Sequence, residues 1–294
     1  MSPREELDFL TNFIQLNKNE AVKRDCLEGF LLNSEYDILL DADSLLFNVC
    51  SYMDGKSWSE LIEGYFSQCR TILNYIEDQG YNIVMVRTFF TTCTNNFRLD
   101  IDKNYKGNRE SNDLSRAVYT LKNLIIQELE KALEKVYYSS TLEADDLIPM
   151  FARENSIIVS QDKDLKQIVG CHFDYKRVDI VNPDGTKIII GTKINKKGEE
   201  VNVYQKKMKG FSFTSPSEST EILGSLLLEG DAADNIKGVK GIGKVKASKM
   251  LKGKSEYSKF RAVVSSYIKE GENWKEKLIK NYRLINLRTS KGVL

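Results

Sequence analysis

Four groups of carboxylates carry most of the chemistry that this sequence can offer. They are Asp41/Asp43, Glu143/Asp145/Asp146, Asp162/Asp164 and Asp231/Asp234. Each group alone is ordinary on a solvated surface. Softer ligands are scarce: His172 is the only histidine, and Cys26, Cys50, Cys69, Cys93 and Cys171 form no Cys-x-x-Cys pair. That argues against zinc and against a disulfide frame, and leaves one candidate for any histidine-based scheme. Clustered carboxylates suit hard cations such as Mg²⁺ or Mn²⁺. Two such ions roughly 4 Å apart can hold a phosphodiester, activate a water and stabilise the leaving oxygen. Phosphoryl transfer needs positioning and charge neutralisation, so no side-chain nucleophile is required.

The last acid pair runs into a glycine-punctuated turn, Gly230-Asp231-Ala232-Ala233-Asp234-Asn235-Ile236-Lys237-Gly238-Val239-Lys240-Gly241-Ile242-Gly243. Glycines let a backbone turn come close to a phosphate. A second cationic stretch, Tyr105-Lys106-Gly107-Asn108-Arg109, follows Phe97-Arg98. It suits phosphate contact with base stacking, although an isolated pentapeptide of this kind is more often just an exposed loop. The net charge of +1 hides an asymmetry: residues 235–294 carry +12 and residues 1–234 carry −11. A basic third on an acidic body suggests that one part grips a polyanion while the other concentrates acids. The plain alternative is a lysine-rich solvated face.

The elements that must position these residues alternate between strand and helix. Tyr36 to Leu40 reads as a buried strand ending in Asp41, and Asn82 to Phe90 as a second. Ile157 to Ser160 reads as a third, ending in Gln161-Asp162-Lys163-Asp164. Glu143, Asp145 and Asp146 open a helix whose following apolar run implies packing. Packed acids repel one another unless a cation lies among them. Helices are expected over 45–50, 57–79 and 113–135, the last with Leu121, Leu124, Ile125, Leu129 and Leu133 apolar. Others are expected over 217–229 with Ser217 or Ser219 as N-cap, from Lys244 to Leu251, and over 257–270 and 273–286. Residues 171–210 read as a β-hairpin insertion turning at Asn182-Pro183-Asp184-Gly185, with another turn at Lys196-Lys197-Gly198-Glu199. Residues 1–35 read as a helical extension capped by Ser2, with Leu7, Leu10, Phe13 and Ile14 on one face. In an open parallel sheet, sites form outside the carboxyl ends of the strands, which is where three of the acid groups are expected.

These motifs, in this order from about residue 36 onwards, resemble the 5′ nuclease superfamily of flap endonucleases and 5′→3′ exonucleases, and within it the bacteriophage branch. The resemblance implies an α/β fold: a central, mostly parallel PIN-like or Rossmann-like sheet over 36–216, flanked by helices and bearing a helical arch at about 98–135. A helix-hairpin-helix region would follow over 217–294. It implies that Asp41, Glu143 and Asp145 hold a first Mg²⁺ or Mn²⁺, with Asp146 shared or nearby, and that Asp162, Asp164, Asp231 and Asp234 hold or orient a second. Tyr105 would stack near terminal bases, and Lys106 and Arg109 would grip the scissile phosphate. Arg98, Gly238, Val239, Gly241, Ile242, Gly243, Lys244 and Lys246 would meet DNA, with K⁺ at the helix-hairpin-helix. The implied activity is cleavage near single-strand/double-strand junctions, removing RNA primers or 5′ flaps in replication. The implied partners are DNA with a 5′ flap or 5′ end, RNA/DNA primer hybrids, a polymerase and a single-strand-binding protein. The chain is expected to be monomeric.

One position departs from the family pattern. Where a metal-binding aspartate usually follows the second strand, this chain has Thr91 or Thr92, with no acid between Arg87 and Leu99. Asp43 is the expected partial substitute. Two other readings follow: a junction-specific DNA-binding protein with weak or lost catalysis, favoured by Thr91, and a PIN-like ribonuclease, disfavoured by the basic C-terminal third. Composition, with 41% apolar and 29% charged residues, is that of an ordinary soluble protein. No apolar run approaches the ~20 residues of a membrane span. The N-terminus lacks a signal-peptide layout. The expectation is a cytoplasmic location (the host-cell cytoplasm if the chain is phage-encoded) and no membrane partner.

Overall fold

The structure is a computed structural model that describes residues 35–195 and 197–287. The expected N-terminal helix lies outside the described residues, as does Lys196 of the second turn. Strands β1 (Glu35–Asp41), β2 (Asn82–Thr91), β3 (Lys135–Ser139), β4 (Ser156–Val159), β5 (Gly170–Asp179) and β8 (Lys206–Thr214) form one sheet in the order β3-β2-β1-β4-β5-β8. The first five run parallel and β8 closes the edge antiparallel to β5. Chain order leaves β1 in two directions, to β2 and β3 on one side and to β4 and β5 on the other. The carboxyl ends of β1 and β4 therefore open a crevice at the switch point.

Alternation along β1 divides the packing between two faces. Ile38 and Leu40 pack in one apolar cluster with helices α1 (Ala42–Cys50), α2 (Trp58–Asp78) and α4 (Asp113–Lys131). Leu39 joins Phe89 and Ile158 in a second cluster with α5 (Ala144–Phe151). A third cluster holds together α6 (Pro216–Glu229), α7 (Lys244–Leu251), α8 (Glu256–Ile268) and α9 (Trp274–Ile285). Tyr105 also belongs to this third cluster. It comes from the loop between the short α3 (Phe97–Ile101) and α4, so that loop is tied to the C-terminal helices.

The fold differs from expectation at several points. The helix expected over 113–135 stops at Lys131; Leu133, taken as apolar packing, is 88% exposed with φ +59°. The residues after it form β3, an edge strand built on the β-prone Val136-Tyr137-Tyr138. Helix α6 is capped by Ser215, not by Ser217 or Ser219: the Ser215 hydroxyl accepts from the Glu218 amide, the Glu218 carboxylate accepts in return, and Pro216 occupies the first turn. The run from 171 begins inside the sheet, where Cys171, Phe173 and Tyr175 of β5 are buried. The excursion outside the sheet is smaller than expected. It is a hairpin of β6 (Ile189–Ile194) and β7 (Glu200–Tyr204) that pair only with each other, reached through the turn at Asp184-Gly185.

Candidate metal centre and nucleic-acid interface

Asp41 is the last residue of β1 and the N-cap of α1. Its Oδ1 accepts from the Asp43 amide at 3.1 Å, and its Oδ2 accepts from the Ser44 and Ser160 hydroxyls at 3.1 and 2.6 Å. Burial raises its pKa to about 7, the Asp43 and Asp162 charges push the same way, and the two serine hydrogen bonds resist. Asp162 follows β4, its amide donating to Ser160 Oγ at 2.9 Å. Asp164 lies two residues on and is likewise raised to about 7, by burial first, then by the charges of Asp162, Asp231 and Asp234 against the opposing Lys163.

Glu143, Asp145 and Asp146 converge at the start of α5, with one oxygen of each within 4.8 Å of the others. Their surroundings differ. Glu143 is buried and ringed by donors: Lys106 Nζ, the Tyr105 hydroxyl at 2.9 Å and Arg98 at 3.3 Å. Burial opposes its charge, but Lys106 and Arg98 outweigh that and hold its pKa below the usual range. Asp146 is taken by Arg98, which donates to both of its oxygens at 2.6 Å. Asp145 has no such partner: its Oδ1 is buried without a hydrogen bond. Burial, then the Asp146 and Glu143 charges, raise its pKa well above that of an ordinary aspartate.

Two hollows meet at Asp145. A cavity of about 660 Å³ is lined by Asp41, Asp43, Glu143, Asp145 and Asp162, with Lys106, Arg109 and Lys122 at its walls. A much smaller one, about 20 Å³, is lined by Asp145, Asp164, Asp231 and Asp234. Asp231 and Asp234 reach it from the turn between two short strands, β9 (Gly230–Asp231) and β10 (Ile236–Lys237). Asp162 thus lines the larger hollow with the first acids, although the resemblance grouped it with the second. The donor set is almost wholly carboxylate, it repels itself, and it contains a buried oxygen without a partner. That chemistry fits a divalent cation.

A match to the family model described as "5′-3′ exonuclease, N-terminal resolvase-like domain" covers residues 37–205, more than half of the chain. The chain belongs to the 5′-3′ exonuclease family. A 5′-3′ exonuclease of Buchnera aphidicola subsp. Schizaphis graminum is 28% identical over 232 residues, covering 74% of this chain and 70% of that protein. DNA polymerase I of Chloroflexus aurantiacus is 32% identical over 136 residues, covering 43% of this chain and 13% of the polymerase. A structure of the T5 5′-exonuclease with bound zinc superposes with a TM-score of 0.53 at 16% identity, covering 87% of this chain and 90% of that one, which is a likeness of fold.

Within this 5′-3′ exonuclease fold, several residues do other work than their motifs implied. Arg98 is 1% exposed and cannot meet DNA; it clamps Asp146 and also donates to the Leu284 carbonyl of α9 at 2.8 Å. Burial works against its charge, but Asp146 outweighs burial and raises its pKa. Tyr105 does not offer a face for base stacking: its ring is buried and its hydroxyl donates between Glu143 and Asp234, at 2.9 and 2.8 Å. Gly238 and Val239 are packing residues. Val239 is buried, and a side chain at Gly238 would collide with the backbone of Leu228 to Gly230. Ile242 is half-buried against the same cluster. Gly241, Gly243, Lys244 and Lys246 are exposed together at the start of α7, Gly241 with φ +76°. Lys106 and Arg109 do face the acids, paired with Glu143 and Asp234. The loop carrying them is latched by Lys106 N–H to the Asp234 carbonyl at 3.0 Å and by Asn108 to the Ala232 carbonyl at 2.8 Å.

Thr91 closes β2 beside the acids. Its amide donates to Asp43 Oδ2 at 3.0 Å, and its hydroxyl accepts from the Ala144 amide at 2.9 Å. Asp43, though in the first turn of α1 and not extended, therefore sits against the position where the family aspartate is missing. Lys122 of α4 was not foreseen from sequence. It pairs with Asp43 at 2.8 Å and also donates to the Thr91 carbonyl. Ser44 and Ser160 were also missed as Asp41 donors; the only sequence signal was a small polar residue beside each acid pair.

Proposed function

We propose that the chain is a structure-specific 5′ nuclease that hydrolyses phosphodiesters near single-strand/double-strand junctions in DNA, with two Mg²⁺ or Mn²⁺ ions, in primer or flap removal during replication. The observation that carries this is the meeting of carboxylates from four separate segments in two hollows that share the unpartnered Asp145, with Lys106 and Arg109 lining the larger one. Asp41, Glu143, Asp145 and Asp162 would hold one ion, with Asp43 standing in for the acid absent at Thr91. Asp145, Asp164, Asp231 and Asp234 would hold the other. Bound ions would activate the attacking water and neutralise charge on the leaving oxygen. Lys106 and Arg109 would bind the scissile phosphate from across the cavity, while Tyr105 and Arg98 hold the acids in place from behind. The exposed glycines and lysines at the start of α7 suit a duplex phosphate and a K⁺ ion in a helix-hairpin-helix, and the chain would work as a monomer in the cytoplasm.

The test is incubation of 5′-flap DNA with Mg²⁺, Mn²⁺ or EDTA. Cleavage in either metal and none in EDTA is expected. Binding without cleavage in both metals would leave the alternative of a junction-binding protein that has lost catalysis, which the threonine at position 91 favours. Lys106→Ala should slow turnover by about 10²-fold while sparing most duplex binding, as for loss of one donor to a developing charge.

A further inference from the structure

A second cavity of about 600 Å³ opens beside the acid-lined one. The two share Asn48 of α1 and Gln161, the residue before Asp162. A polymer can therefore run from one into the other across a common rim. No carboxylate lines the second cavity. Lys176 and Arg177 of β5 and Lys206 of β8 line one side, and Tyr52, 72% exposed, lines another.

The cations here differ from those in the acid-lined cavity. There, Lys106, Arg109 and Lys122 are each paired with a carboxylate. Here, among the described residues, Lys176 and Arg177 have no ion pair, and Lys206 lies 3.8 Å from Asp179. Free cations, an exposed aromatic ring and side-chain amides in one hollow are the parts of a single-strand site: phosphates meet the cations and a base stacks on the ring. The hollow's volume is within the range of small-ligand sites, a size that suits individual nucleotides of an unpaired strand.

We propose that this cavity binds the unpaired strand of a nucleic acid as it leaves the acid-lined centre. Tyr52 stacks a base, Lys176 and Arg177 hold phosphates, and Asn48 and Gln161 contact the nucleotide that crosses the rim. The identity of the polymer rests on the nuclease reading above. The contact itself can be measured without cleavage.

The test is fluorescence anisotropy of labelled oligo-dT with the full chain in EDTA, across a salt series. Lys176→Ala with Arg177→Ala should weaken oligo-dT binding about tenfold or more, and should reduce the slope of log K against log salt by roughly 1.4, about 0.7 per lost phosphate contact. Tyr52→Ala should weaken it about tenfold, within the range for loss of one stacked base, while Tyr52→Phe keeps wild-type affinity. Affinity for a blunt duplex should stay within twofold in all of them. The proposal is overturned if the wild type binds no oligo-dT, if the variants bind it normally, if Tyr52→Phe is as damaging as Tyr52→Ala, or if duplex binding falls equally. A wild type that binds oligo-dT as described but cleaves nothing would instead remove the nuclease reading. All three side chains are exposed, so the substitutions leave the core intact.

Discussion

Arg98 separates a DNA-contacting motif from an internal clamp, and replacing it with methionine decides between them. In the structure its guanidinium is 1% exposed, donates to both Asp146 oxygens at 2.6 Å, reaches Glu143 at 3.3 Å and lies 4.7 Å from the Phe97 ring centroid. Arg98→Met keeps much of the packing volume but strands Asp146 and removes one of three donors from Glu143, both acids being largely buried. Removing one partner of a buried ion pair costs about 3–5 kcal/mol, mostly because the other charge is left uncompensated. For a chain of this size that lowers the melting temperature by on the order of 10 °C. Arg98→Lys should recover only part, since a point charge cannot span both Asp146 oxygens as the planar fork does. The assay is urea unfolding in EDTA, with the slope checked against wild type so that only the midpoint is read. A double-mutant cycle with Asp146→Asn isolates the pair. An Arg98→Met protein within about 1 kcal/mol of wild type, but with weakened DNA binding, would refute the clamp and restore the sequence expectation.

Asp145→Asn removes the charge that has no partner, so it should abolish cleavage yet raise stability in EDTA by about 1–2 kcal/mol, an activity-for-stability exchange typical of strained sites. Divalent ions should raise the melting temperature of the wild type and not of this variant; equal metal-induced shifts would remove Asp145 as a ligand. His172 is buried, and burial, with Lys166 adding to it, lowers its pKa from 6.5 to about 4 against the hydrogen bond to the Ile168 carbonyl. The fold prefers the neutral ring, so this contribution is complete above pH 6.5 and is lost as pH falls towards 4, by up to about 3 kcal/mol. Asp41 and Asp164, raised to about 7, work in the opposite direction, so the comparison must be wild type against His172→Gln. The variant should lose less stability between pH 6.5 and 4.5, and identical profiles would contradict the assignment. Gly230→Ala should destabilise by about 3 kcal/mol or more, because φ is +80° and the new methyl would collide with the Gly238 amide and the Ile236 carbonyl. A melting temperature within 2 °C of wild type would show that the crossing of the two backbones gives way.

What the sequence made legible was the acid framework, because each group sits where an apolar run ends or begins, and that junction is a local signal. Asp41 closes β1, Asp162 follows β4, and Glu143 opens α5. Strand β3 was not legible. It follows α4 after only three residues, and Leu133 continued the apolar helical pattern past the true end at Lys131. The roles of Arg98 and Tyr105 were illegible for a different reason. Their residue types, an arginine and an aromatic in a cationic stretch, are also those of a nucleic-acid surface. What fixes them is contact with Glu143, Asp146 and Asp234, which lie 38 to 129 residues away in the chain. The same long-range pairing explains how so many acids coexist. Arg98 lies behind them, Lys106 and Arg109 face them, and Lys122 meets Asp43. Only Arg98 is fully buried; Lys106, Arg109 and Lys122 line the open cavity. A buried clamp must keep its partner, whereas cations lining a cavity can exchange theirs for a phosphate at less cost. The fold therefore separates a permanent counter-charge from exchangeable ones, and that distinction depends on burial, which residue spacing does not report.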